Sequence, residues 1–137
     1  MSEHRTAMIA ALKRTVVPAL RARGFKGSFP HFRRPGSGRI DLLTFQFDKW
    51  GGGFVVEIAK CSREGHNTHL GTLVPPTKVT AQDVNRRLRL GAAQEGDDHW
   101  FRFDGLDPIS NSARYDAVAA EVLPHLDSQG ETWWRDA

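Results

Sequence analysis

Residues 40–61 read IDLLTFQFDKWGGGFVVEIAKC, two runs of alternating character on either side of three glycines. In the first run Leu43, Phe45 and Phe47 fall on one side of an extended chain and Thr44, Gln46 and Asp48 on the other, because successive side chains alternate across a strand. In the second, Phe54, Val56 and Ile58 repeat the apolar phase. Gly51, Gly52 and Gly53 accept φ > 0 without a Cβ penalty, so the chain reverses there. The stretch predicts an antiparallel hairpin with one buried face, and it places Phe45 and Phe47 in the core.

N-terminal to the hairpin, from about Glu3 to Arg23, Met8, Ile9, Leu12, Val16 and Leu20 recur at three- and four-residue steps and form the apolar stripe of a helix. Pro18 interrupts it and predicts a kink or a restart; Gly24 supplies the stop. His31 to Arg34 reads as a short strand beside Ile40 to Asp48, joined through the turn of Pro35 to Gly38. That turn allows Arg33, Arg34 and Arg39 to gather as an anion clasp, with three independent arginines as the simpler reading.

C-terminal to the hairpin, residues 62–83 lose periodicity and gather turn formers, which predicts an excursion over the surface without regular elements. Cys61, His66 and His69 share a spacing with usable ligand types but lack a fourth ligand, and no metal site is expected there. Leu88 and Leu90 alternate with Arg87 and Arg89 from Val84 onward, and Phe101 and Phe103 alternate with Trp100 and Arg102, which predicts a second hairpin. A final helix capped near Ser110 to Ser112 carries the stripe Tyr115, Val118, Val122 and Leu126, with a kink at Pro124. The adjacent tryptophans of the tail ETWWRDA are expected to pin it to the core, since their apolar area is large. The fold class that follows is α+β: an antiparallel sheet of about four to six strands, with N-terminal and C-terminal amphipathic helices packed on one face, in a single domain over residues 1–137.

The chain has the length of one domain, and no apolar run approaches the ~20 residues that cross a bilayer, so no membrane partner is expected. The first residues lack a secretory pattern, and the one cysteine permits no internal disulfide; both point to the cytoplasm. The formal charge is +3, but residues 1–40 hold nine Lys or Arg against one acid, while the rest holds ten against fifteen. A basic face for an anionic partner is one consequence, and mutual neutralisation inside the fold is the other. Lys13, Arg14 and Arg21, off the apolar stripe, would track phosphates only with aromatic stacking partners, and none sits on that helix.

An N-terminal helix ending in Gly24, Phe25 and Lys26, a strand closing on Gln46, Lys49 and Trp50, and then Leu88, Gly91 and Trp100 make a recognisable order. From about Thr6 to Phe103 the chain resembles an uncharacterised bacterial family, one of the domain-of-unknown-function families of small α+β proteins. The resemblance implies the fold and carries over no catalytic residue; an immunity or adaptor role is what analogy with such families suggests.

Three functions remain in view. The first is a non-catalytic protein-binding module that uses the sheet face away from the core, where Gln46, Arg87, Arg89, Trp100 and Arg102 gather, since Arg and Trp are enriched in binding hot spots. The structural alternative is that a helix covers that face. The second is nucleic-acid binding through the basic N-terminal 40 residues. The third is a small enzyme acting on an anionic substrate, with Asp48, Glu57 or His99 as acid or base. Another protein is thus the first expected partner, nucleic acid the second, and no cofactor is called for. On the binding reading, removing Arg87 or Arg89 should leave folding nearly unchanged.

Overall fold

The structure, a computed structural model, describes residues 2–137. Its first helix, α1 (Glu3–Thr15), opens with the Ser2 hydroxyl accepting the Arg5 N–H at 3.1 Å, which satisfies one of the donors a helix start leaves free. The helical hydrogen bonds are interrupted where Pro18 has no N–H to give, and the chain restarts as α2 (Val17–Ala22) with Pro18 in its first turn. Gly24, at φ +93°, ends it. Met8, Leu12, Val16 and Leu20 are all fully buried.

The sheet is antiparallel throughout. Strands β1 (Lys26–Ser28), β2 (His31–Pro35), β3 (Ile40–Phe47) and β4 (Gly53–Cys61) follow one another in sequence and in space. The β3–β4 hairpin has the expected phase: Phe45 faces Val56, Leu43 faces Ile58 and Phe47 faces Phe54. Two strands of the excursion, β5 (His66–Asn67) and β6 (Leu73–Val74), form a small separate ribbon, so this segment is more regular than its polar composition suggests.

The predicted second hairpin does not form. Two short strands, β7 (Leu88–Arg89) and β8 (Phe101–Arg102), both pair with the outer edge of β4, at Glu57 and Ile58 and at Gly53 and Phe54 respectively. The Leu90 N–H continues the first pairing to Val56, and the Phe103 N–H continues the second to Gly52. They are in effect one edge strand with residues 91–100 looped out of it. The physical reason is the edge itself: β4 is nine residues long and its unpaired backbone groups need partners. Pairing with each other would leave them bare, whereas lying end to end along β4 satisfies them and puts Leu88 and Phe101 on the same apolar face.

The final helical region begins with α3 (Ser112–Ala120), which packs on α1. It continues through α4 (Val122–His125) and a π-type turn (Leu126–Gly130) into α5 (Glu131–Asp136). The expected stripe of Tyr115, Val118, Val122 and Leu126 is buried. Helices and sheet enclose a core in which Phe45 lies 5.1 Å from Phe29 and 6.1 Å from Phe32, and Phe54 lies 5.2 Å from Phe101. Phe47 is only partly buried at the edge of that core.

A second, smaller apolar cluster lies on the other side of the sheet. Ile40, Leu42 and Ala59 there meet Val79, Ala81 and Val84, which flank or belong to a short 3-10 turn at Ala81–Asp83. Among the described residues no α-helix lies on this face near the predicted arginine and tryptophan residues, but the sheet is not bare there: Thr44, Val55 and Glu57 are buried, while Gln46 and Arg102 are exposed.

Candidate functional site

The sheet face away from the helices carries a transverse polar row, buried at its centre, where Thr44 and Glu57 lie. Register sets His31 opposite Thr44, Thr44 opposite Glu57, and Glu57 opposite Arg89. Strand alternation turns all four away from the helices, because Leu43, Ile58 and Leu88 in the adjacent positions point into the core. The ring Nδ1 of His31 lies 2.9 Å from the Thr44 hydroxyl, and burial lowers the His31 pKa, partly offset by the charge of Asp83.

Glu57 is the centre of charge on this face. Its side chain is 5% exposed and meets Arg87 Nη1 at 3.4 Å and Arg89 Nε at 3.6 Å. Arg89 also donates to Asp98 at 2.7 Å, and its guanidinium lies 5.6 Å from the Trp100 ring centre. Arg102 pairs with Asp104 at 2.6 Å. A Cβ on Gly53 would stand 3.0 Å from Arg102 Nη1 and 3.3 Å from Trp100 Cε3, so the missing side chain lets both lie against β4. Gln46 sits one row along, opposite Val55, with its Oε1 3.5 Å from Gln82 Nε2. A cleft of about 220 Å³ opens beside the row, lined by Glu57, Asn85, Arg87, Arg89 and residues 96–98.

All five predicted residues therefore lie on the face away from the helices, although the pairing that was to bring them there is different. Trp100 meets Arg89 because β7 and β8 lie end to end along β4, which sets the two residues beside each other on its edge. Each arginine of the set is also committed to a carboxylate of its own chain.

Other candidate groups are dispersed. Asp48 accepts the Trp50 N–H in the β3–β4 turn, Glu57 is held by arginines, and His99 stands on the helix side, its ring 5.3 Å from that of His125. The three acid or base candidates do not converge. The arginine clasp is absent too: alternation along β2 sends Arg33 and Arg34 to opposite faces. Arg34 crosses to the helix side, where it donates to Asp41 at 2.9 Å and to Glu131 at 2.7 Å and 3.0 Å. Arg39 meets the same Asp41. Cys61 ends β4 against the smaller apolar cluster, and burial pushes its thiol up to about 11. His66 lies in β5, paired with Val74, and His69 falls in the turn that leads to β6.

The basic N-terminal segment is answered from within at four of its nine cations. Arg14 pairs with Asp116, Arg23 with Asp127, and Arg34 and Arg39 with Asp41 and Glu131. A second concavity, of about 470 Å³, lies between the start of α1 and the β3–β4 turn, with His4, Arg5, Lys49 and Trp50 along it. The tyrosine proton of Tyr115 goes to the Leu106 carbonyl, so the contact of 3.1 Å between Tyr115 Oη and His4 Nδ1 requires the histidine to donate. Sequence reading passed over this groove. The signal available was a tryptophan placed in a glycine turn, where a core role is impossible.

A family model described as Domain of unknown function (DUF4304) matches residues 16–136, a span that includes every position of the motif order noted above. No curated protein and no solved structure matches the chain. No helix among the described residues is long and apolar enough to cross a membrane.

Proposed function

The chain belongs to the family described as Domain of unknown function (DUF4304), and we propose that it is a non-catalytic protein-binding module, of adaptor or immunity type, that presents the sheet face opposite its helices. One observation carries this reading: the buried Glu57 carboxylate holds Arg87 and Arg89 in place beside Trp100. A guanidinium has five N–H donors, and the internal contacts use a minority of them. The remaining donors form a fixed array next to an indole, so a partner that binds there does not bear the cost of ordering long side chains. Arg and Trp in such a setting are the residue types that dominate interface energies. The partner surface that fits supplies carbonyl or carboxylate acceptors around an apolar centre.

The test is site-specific photo-crosslinking in cells, with the reactive residue in place of Gln46 or Arg102 on the open face, or of Glu121 on the helix side. The expected result is one protein adduct from the first two positions and not from the third. Arg102→Ala should then weaken binding of the identified partner at least tenfold, while the loss of its exposed ion pair leaves the urea midpoint nearly unchanged. Equal adducts from all three positions would refute the reading.

A further inference from the structure

The β3–β4 turn sets an indole in water. Trp50 is 85% exposed, in a tight turn whose backbone would be served by any small polar residue. Its ring therefore contributes little to this chain's own packing, and its use lies in something the chain meets. The groove beside it has a volume of about 470 Å³, within the range of roughly 300–1,000 Å³ that holds small ligands.

Charge along this groove is unevenly answered. Asp104 is taken by Arg102 at 2.6 Å, whereas Asp48 accepts only the neutral Trp50 N–H at 3.0 Å and keeps its charge. The two cations on the groove have rings as neighbours instead. The Arg5 guanidinium lies 5.1 Å from the centre of Phe47, and Lys49 Nζ lies 5.0 Å from that of Trp50. With Asp104 paired to Arg102, the groove lining sets the two cations Arg5 and Lys49 against the single carboxylate of Asp48, a surplus of positive charge next to an open π surface. The helix start is not needed for this, since Ser2 already caps the Arg5 N–H.

We propose that the groove binds a nucleotide, with the base stacked on Trp50 and the phosphate drawn to Arg5 and Lys49. A carboxylate segment of a protein would satisfy the cations and leave the indole in water; an apolar segment would do the reverse. A phosphorylated nucleoside uses both at once, and base stacking on an aromatic side chain tolerates any base. The same chemistry is offered by a free mononucleotide and by a nucleotide within a single strand. This site is separate from the sheet face and does not rest on the protein-binding reading.

The experiment titrates the full chain with adenosine monophosphate, uridine monophosphate and a short oligothymidylate, following tryptophan emission, with inorganic phosphate and polyglutamate as competitors. A saturable quench is expected, weakening with added salt, lost in Trp50→Ala and shifted at least tenfold in affinity in an Arg5→Gln/Lys49→Gln variant. Quenching by the mononucleotides assigns the free ligand, and quenching by the oligonucleotide alone assigns a strand; either supports the site. The double variant keeps the indole, so it decides the matter if Trp50→Ala disturbs the fold. No saturable quench, a quench that survives in Trp50→Ala or is unmoved in the double variant, or polyglutamate competing as well as nucleotide would overturn the proposal.

Discussion

Replacing Trp134 by alanine should detach the end of the chain. The side chain is fully buried, its ring centre 5.1 Å from that of Phe25, with the Arg34 guanidinium 5.1 Å away. The indole N–H donates to the Ala59 carbonyl at 3.0 Å, and Lys60 Nζ donates back to the Trp134 carbonyl at 3.0 Å. The helix that carries it, α5, has six residues, too few to hold together in water unaided. Truncating a buried tryptophan costs about 3 to 5 kcal/mol, and leaving a backbone acceptor without its partner adds about 1 kcal/mol. The expected loss is thus about 4 to 6 kcal/mol, a fall of roughly 15 to 20 °C in Tm for a chain of this size. Trp134→Phe keeps most of the ring and loses the donor, so it should cost only about 1 to 2 kcal/mol. Urea denaturation followed by far-ultraviolet circular dichroism separates the two. A loss under 2 kcal/mol for the alanine variant, or equal losses for both, would mean that the tail is not held by this indole.

Two further outcomes follow from burial. Phe45→Ala should cost about 3 to 5 kcal/mol, and Phe47→Ala roughly half as much because that ring is partly in solvent; equal urea midpoints for the pair would place the hairpin face wrongly. Acid should weaken the fold before the carboxylates titrate. Burial lowers the pKa of His31, where Asp83 works in the opposite direction. It also lowers that of His125, where His99 adds to the effect and Glu121 opposes it. A folded state that binds fewer protons than the unfolded chain is fully favoured above the ordinary histidine pKa of about 6.5 and loses stability as pH falls below it. Urea midpoints should therefore drop between about pH 7 and pH 5, and His125→Gln should flatten the drop. A midpoint that rises on acidification would reverse the assignment.

What could be read from residues alone was set by local chemistry. The alternation of Leu43, Phe45 and Phe47 against Phe54, Val56 and Ile58 is a property of the strands themselves, so phase and face followed from it; the chain does reverse at the glycines, but none of Gly51, Gly52 and Gly53 has positive φ, and Gly52 is instead needed for its close approach to Asp104. The stripes of α1 and α3 were legible for the same reason, as was the break at Pro18, which lacks the donor that a helix interior needs. The pairing of β7 and β8 was not legible. It depends on how much of the β4 edge remains bare, and a short sequence around Leu88 or Phe101 carries no trace of that. The clasp at Arg33 and Arg34 failed differently: adjacent strand residues must face opposite ways, so the pattern itself argued against it. Which of the two tail tryptophans enters the core was decided by the geometry of α5. It buries Trp134 fully and leaves Trp133 half-buried against the rim of the core, where its N–H reaches Glu95 at 3.2 Å.

On the binding proposal, the array around Glu57 would join stability and recognition in the same atoms. A carboxylate that is 5% exposed needs its two arginines, because an unpaired buried charge is costly. The expectation that Arg87 or Arg89 could be removed without touching the fold assumed that both pointed freely into solvent. With Glu57 beneath them, either loss leaves charge uncompensated, and a fall in binding would no longer distinguish a lost contact from a loosened sheet. Arg102 escapes this coupling. Its partner Asp104 is exposed, with side chains at 51% and 56% of full exposure, so water replaces the interaction when the arginine is removed. It also lies against β4 at Gly53, beside Trp100. The residue that tests the proposed recognition is thus the one whose own ion pair matters least to folding, and the residues most firmly held are those that give the face its rigidity.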